Sequence, residues 1–302
     1  MEILIEKAGF CIGITRAYRE MSKRAVNEGT FTVTHQNSEG EYDTLRRIER
    51  GDPNLLALYP GLGNVAVTHD PSTLGNGDRL VLGFHGLPKE TKNDLAARGV
   101  ELVDDLICPF IAKLDRVVER AVAEGFDIAI VGKKVNHHCR TAQMIAEQHG
   151  RACYVLECAD DVDLLPRDAG RQIALVGQVT GNTETFKEVI EQLQKSGPPL
   201  KIFKTMCSDS HSRQNAASEL AGEADLVILL DDGKDASQSV FEVCSRVNQR
   251  VYRIQCKEDI RVEWFHGASK TAIVAGILVP DWSLQEVAQH IREMCAVSAT
   301  SQ

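Results

Sequence analysis

Three of the nine cysteines in this 302-residue chain stand in matching contexts, each just after an apolar strand-like run and just before an amphipathic helical stretch. They are Cys11 in GFCIGITRAYREM, Cys108 in LICPFIAKLDRVVERAV and Cys207 in TMCSDSHSRQNAASELA, and they lie 97 and 99 residues apart. A thiol at a helix start meets the positive end of the helix dipole, which lowers its pKa and favours the thiolate that binds metal. Zinc with an open fourth position is one occupant of three such thiolates, although zinc sites usually draw ligands from short motifs such as C-x2-C, absent among these three. A 4Fe-4S cluster is the other. Such clusters normally have four Cys ligands, so a cluster held by three leaves one iron open to bind a substrate oxygen as a Lewis acid while the cluster supplies electrons. The competing view treats the three as small buried hydrophobes at strand ends, which describes any one cysteine well and three equally spaced ones poorly.

The elements that must position these thiols read as an α/β chain. Continuous apolar runs such as FTVTH, NVAVTHD, RLVLGFHG, FDIAIVGKK, QIALVGQVTG, ADLVILLDD and TAIVAGILV predict strands buried on both faces of mostly parallel sheets. Helical stretches such as ETKNDLAARG, AQMIAEQHG, TETFKEVIEQLQKS and SLQEVAQHIREMC supply the crossovers. Each lap from one cysteine to the next repeats helix, strand, helix, strand, strand, helix, strand, a periodicity that predicts three α/β units. Their expected bounds are 12–106, 107–204, and 205–295 with the N-terminal strand 1–11, related by a pseudo-threefold axis that would bring the cysteines to one point. The formal charge of −9, with no Lys/Arg-rich run, argues against nucleic acid. No stretch approaches the ~20 apolar residues of a membrane span, and MEILIEKAGFCIG is acidic and too short in its apolar run for a signal peptide. The expectation is therefore a cytoplasmic protein with reduced cysteines and a small-molecule substrate.

With GFCIGITRA, VLGFHGL, ICPFIAKL, CSDSHSRQNA and the late VPD in order over residues 3 to about 291, the chain resembles the 4-hydroxy-3-methylbut-2-enyl diphosphate reductase family, iron-sulfur enzymes that end the non-mevalonate isoprenoid pathway. The resemblance implies three α/β units around a 4Fe-4S cluster with three Cys ligands, matching here Cys11, Cys108 and Cys207, and one open iron. It also implies removal of hydroxide from an allylic alcohol with two electrons and two protons, and an electron donor of the ferredoxin or flavodoxin type.

Several positions that match the family's diphosphate contacts have changed. His85 in GFHG keeps one histidine, but Glu39 stands where a second is expected, and Asn136-His137-His138 replaces the H-P-E segment with its third histidine and proton-donating glutamate. The serine-serine-asparagine-serine string reads Ala236, Ser237, Gln238 and Ser239, the paired threonines read Val179 and Thr180, and a last serine reads Leu278. A carboxylate where a diphosphate should rest repels it. The substrate residues expected on this basis are His85, Asn136, Thr180, Ser237, Gln238 and Leu278. His138 is the expected proton donor, since an imidazole titrates near pH 6.5, with Glu39 as the other catalytic candidate. Cluster ligands kept while substrate contacts change suggest reductive dehydroxylation, or another reduction, of a substrate that lacks a diphosphate. The alternatives are a genuine reductase of isoprenoid biosynthesis, a Lewis-acid hydro-lyase, and a cluster sensor without catalysis.

Overall fold

The computed structural model describes residues 1–7, 9–34, 44–166, 171–196 and 200–300. Strands that the sequence marks as continuous apolar runs are buried at every position where they are central. Asp127–Val131 (β6), Ile173–Gly177 (β8) and Leu226–Leu230 (β10) have no exposed residue, which requires helices on both faces. The chain divides into two compact units, Gly9–Pro109 and a larger one formed by Met1–Ala8 with Phe110–Gln302.

In the smaller unit the helix Ile12–Glu28 (α1) leads to Phe31–Thr34 (β2), then through the short helices Thr44–Glu49 (α2) and Pro53–Leu58 (α3) to Val65–Thr68 (β3). Arg79–Val81 (β4), Lys89–Ala97 (α4) and Glu101–Val103 (β5) complete it. The strands form one all-parallel sheet in the order β3-β2-β4-β5. Leu80, Leu82, Leu95 and Val100 make its buried cluster. Each such side chain contributes about 1.5–3 kcal/mol when fully removed from water.

The larger unit begins with Glu2–Ile5 (β1) and resumes with Pro109–Ala123 (α5), which leads into β6. His137–Gln148 (α6), Cys153–Leu156 (β7), β8, Thr183–Ser196 (α7) and Leu200–Ile202 (β9) follow. Their parallel sheet runs β7-β6-β8-β9. The last segment is Ser208–Glu223 (α8), β10, Asp235–Val247 (α9), Val251–Ile254 (β11), Lys270–Ala275 (β12) and Asp281–Thr300 (α10), in a parallel sheet ordered β11-β10-β12-β1. All three sheets thus place the second strand of the lap at one edge, the first beside it, then the third and fourth, with β1 filling the fourth place of the last sheet. Because β1 pairs with β12 through Glu2↔Lys270 to Ile5↔Ile273, the N-terminus is a structural part of the C-terminal segment. Among the described residues no helix is long and apolar enough to cross a membrane.

Candidate iron-sulfur site and its surroundings

Cys11 is the N-cap of α1: its backbone is extended (φ −61°, ψ 161°) and its Sγ accepts from the Ile14 amide at 3.5 Å. A cap needs a side-chain acceptor on a non-helical residue, and here a thiol supplies it. Cys108 precedes α5, and its amide donates to the Phe84 carbonyl at 2.8 Å, tying it to the loop that carries His85. The Arg16 guanidinium, one turn into α1, donates to the carbonyls of Asp105 and, at 3.2 Å, of Ile107, so the helix capped by Cys11 also holds the segment that bears Cys108. A Cβ placed on Gly13 would lie 3.1 Å from Cys108 Sγ and 3.8 Å from Cys11 Sγ. Both sulfurs therefore face the same space, which only glycine leaves open. Two thiols directed at one gap, with no disulfide between them, suit ligands of a metal group.

In the larger unit Cys207 is the N-cap of α8, nearly buried, and its amide donates to the Val179 carbonyl at 2.8 Å. That bond joins the start of α8 to the end of the β8 turn, where Thr180 follows. The helix start and the extended backbone at Cys207 (φ −73°, ψ 124°) repeat the setting of Cys11.

The residues expected to touch substrate are placed as follows. Asn136 caps α6: its Oδ1 accepts from the His138 amide at 2.8 Å and its Nδ2 donates to the Asp235 carboxylate. His138 is buried in the first turn of α6, its ring 4.0 Å from that of His137, and it is not the solvent-facing loop residue that such a sequence position also allows. Loss of water around His137 holds its pKa below the ordinary imidazole value. Ser237 is fully buried, and its hydroxyl donates to Asp232 Oδ1 at 2.7 Å while accepting from the Asp232 amide. Leu278 is buried too, and its backbone N–H reaches Asp232 Oδ2 at 2.9 Å. Gln238 donates to Glu242 at 3.1 Å and accepts from Arg253 at 2.7 Å; the Thr180 carbonyl accepts from Ser239. His85, in the smaller unit, is half-buried with its ring 4.4 Å from that of Phe84. Glu39 lies outside the described residues.

Asn136, Ser237 and Gln238 are thus engaged with carboxylates of the chain itself. Asp235 gathers Asn136 and, at 3.4 Å, Gln178; Glu242 gathers Gln238 and Asn182. Asp235, Gln178, Gln238, Asn182 and Glu242 line a cleft between the ends of β6 and β8 and the first turns of α9, with Lys133 as a basic wall and Glu157 as a further acidic one. Asp232, wholly buried, has its carboxyl pushed up by loss of water, which exceeds the lowering from Ser237 and the backbone donors. Glu6, at the end of β1, is 5 % exposed and its carboxyl is raised from 4.5 to about 7, chiefly by burial. Sequence reading passed over Asp232, Asp235 and Glu6. The signal was available in LVILLDDGKD, where acids follow a fully apolar strand at the edge where α/β sheets place their ligands. Cys139, Cys153 and Cys244 are core thiols whose pKa values are pushed up to about 12 by burial, far from the reactive range.

The fold defined by these three parallel sheets is that of a known class of reductases. The solved E-1-hydroxy-2-methyl-but-2-enyl-4-diphosphate reductase from Plasmodium falciparum matches with a TM-score of 0.78 at 17% identity, over 95% of this chain and 87% of that one. A structure of (E)-4-hydroxy-3-methyl-but-2-enyl diphosphate reductase matches at 0.58 and 24% identity over 97% of this chain and all of that one. In sequence, the LytB protein family model covers residues 3–292. The 4-hydroxy-3-methylbut-2-enyl diphosphate reductase of Geobacter sulfurreducens is 30% identical over 97% of this chain and 98% of its own length, and that of Aquifex aeolicus 27% identical over 97% and 96%. The chain belongs to the LytB family and is an iron-sulfur oxidoreductase, as its motifs imply. The comparisons give no support to the expected substrate without a diphosphate; they favour the alternative, a reductase of isoprenoid biosynthesis.

Proposed function

We propose that this chain reduces 4-hydroxy-3-methylbut-2-enyl diphosphate, with Cys11, Cys108 and Cys207 as the three ligands of a 4Fe-4S cluster. When bound, such a cluster supplies electrons one at a time and, at an iron without a protein ligand, a Lewis acid. The overall change consumes two electrons from a ferredoxin- or flavodoxin-type donor and two protons: the allylic C–O bond breaks, the oxygen leaves as water, and one proton adds to carbon. Cys11 and Cys108 supply thiolates to the space over Gly13, and Arg16 keeps their two segments together. His85 follows Phe84, whose carbonyl holds Cys108, so it is carried on the ligand-bearing loop and is suited to a phosphate oxygen. His138 stands at the matching position of the proton donor, and burial suits an acid that must not exchange freely with water.

The observation that supports this reading most is the family match over almost the whole chain, together with two of the three matching thiols facing one glycine-floored gap. The test is protein purified without air, assayed for iron and for turnover of the diphosphate with a reduced donor. Iron retention that falls on Cys→Ser change at positions 11, 108 or 207, with reductant-dependent turnover, supports it; iron-free protein refutes it.

A second reading, a cluster reductase acting on a substrate without a diphosphate, is favoured by one observation. The amides of Asn136 and Gln238 and the hydroxyl of Ser237 are bonded to Asp235, Glu242 and Asp232, and the cleft that Gln238 lines also carries Glu157, Asp235 and Glu242. An iron-loaded protein that accepts electrons and leaves the diphosphate unchanged would select it. Turnover without any reductant would instead mark a hydro-lyase.

A further inference from the structure

From Gly177 to Thr183 the chain that leaves β8 is bonded at every second residue to the segment that carries Cys207. Thr205 Oγ1 accepts from the Gly177 amide at 2.9 Å and donates to the Gly177 carbonyl at 2.8 Å, and the Cys207 amide reaches the Val179 carbonyl at 2.8 Å. About two turns further along α8, Gln214 completes the row. Its Nε2 donates to the Gly181 carbonyl at 2.9 Å, and its Oε1 accepts from the Thr183 amide at 3.0 Å and the Thr183 hydroxyl at 3.1 Å. Nε2 also donates to Ser210 Oγ at 3.3 Å, so both amide hydrogens and both acceptor positions of this buried side chain are used. An N–H that only donates and a carbonyl that only accepts fix which way this amide points, and neither a carboxylate nor a thioether serves both.

Thr180 sits in the middle of this row. Its carbonyl accepts from Ser239 Oγ at 3.1 Å, so the successive carbonyls of Val179, Thr180 and Gly181 are all engaged. Its hydroxyl, half-buried at the carboxyl end of β8, has no hydrogen-bond partner among the described residues. A hydroxyl left free where the backbone around it is fully bonded, at the strand end where parallel sheets place ligands, is set to meet one. We propose that Gln214 is a positioning residue for the substrate: by clamping Gly181 and Thr183 onto the helix that Cys207 caps, it fixes the place of the Thr180 hydroxyl, which donates to an oxygen of the bound anionic substrate. The proposal rests on the reading in which the diphosphate is the substrate and Thr180 touches it. Gln214 itself touches no reacting atom and acts through Thr180.

The test is a double-mutant cycle on the affinity of the iron-loaded, oxidised full chain for 4-hydroxy-3-methylbut-2-enyl diphosphate, read by calorimetry with no donor present so that nothing turns over. Thr180→Val removes the hydroxyl, and Gln214→Met removes the clamp while keeping its length. Each change alone should raise Kd about tenfold, the loss expected when one hydrogen bond to a charged group goes. Added to Thr180→Val, Gln214→Met should raise Kd by less than about twofold, because the hydroxyl it places is already gone. A residue that only holds the fold together weakens binding by the same factor in both backgrounds, and that result overturns the proposal. So does a Thr180→Val protein that binds as the wild type does. If Gln214→Met does not fold, Thr183→Val decides. It removes one bond of the clamp, and its smaller loss of affinity should likewise vanish in the Thr180→Val background; no loss, or an equal loss in both, overturns the proposal. Wild-type protein that does not bind the diphosphate overturns the proposed function and this proposal together, whereas wild-type binding with independent effects of the two changes overturns the Gln214 assignment alone.

Discussion

Side chains that carry charge or sulfur were legible to different degrees, according to how local their reason is. Cys11, Cys108 and Cys207 could be picked out because a thiol ahead of a helix repeats at near-equal spacing. The commitment of Ser237 to Asp232 could not, since two neighbouring side chains can face either way from a helix start and only the packed backbone fixes which. Glu6 reads in sequence as one more acid near the N-terminus; only the pairing of β1 with β12 buries it. Its burial has a thermodynamic sign. The folded chain holds the Glu6 proton more tightly than the unfolded one, so stability present below about pH 4.5 is lost as pH rises to about 7. Removing that penalty should make Glu6→Gln more stable than the wild type at pH 8 by up to about 3 kcal/mol, and by much less at pH 5, in denaturant titrations. On the proposed function His138 is the proton donor, and its replacement is the test of that role. A positioned acid typically contributes 10²- to 10⁴-fold, so His138→Gln should lower turnover by about that much with an unchanged cluster spectrum, because an amide cannot deliver a proton. Near-normal turnover of that variant would make His138 a bystander.

At the scale of elements, the apolar runs located the strands well because parallel central strands leave no exposed position to break the pattern. The order of strands within each sheet was not legible, as it depends on which crossovers pack together. Nor was the repeat of a small motif after β7 and β11. Asp161 accepts from the Glu157 and Cys158 amides, and Asp259 from those of Gln255 and Cys256, at 2.7 to 3.3 Å. ECADD and QCKED share only the cysteine and the later aspartate, so the kinship shows in the hydrogen bonds before the letters. Asn136 belongs to this scale too. Its bond to Asp235 spans 99 residues of sequence, which no local pattern announces. Asn136→Ala removes a cap and leaves that carboxylate short of a donor, so it should destabilise the larger unit by about 1–2 kcal/mol, read as a lower denaturant midpoint. The start of α1 gives a complementary case. Gly13→Ala puts a methyl 3.1 Å from Cys108 Sγ, and it should reduce iron retention more than it reduces helix content. Full iron loading in that variant would show that the two sulfurs need no open space above Gly13.

For the whole molecule, the family match and the changed side chains pull in different directions, and chemistry on the diphosphate decides between them. Charge is part of the tension: the chain carries −9 overall, and the cleft of the larger unit offers Lys133 against Glu157, Asp235 and Glu242. On the proposed function, Asn136, Ser237 and Gln238, already held by carboxylates, would contribute little to binding a diphosphate. Binding should accordingly be weaker than that of a site with free amides and hydroxyls, each hydrogen bond to a charged group being worth about 1.5–3 kcal/mol. The deciding measurement is the reduction of 4-hydroxy-3-methylbut-2-enyl diphosphate by air-free, iron-loaded protein with an excess of reduced donor, followed by analysis of the products. Five-carbon diphosphates lacking the hydroxyl, formed only with reductant and lost in Cys108→Ser, are the predicted result; protein that holds its iron and takes up electrons while the diphosphate remains intact would contradict it.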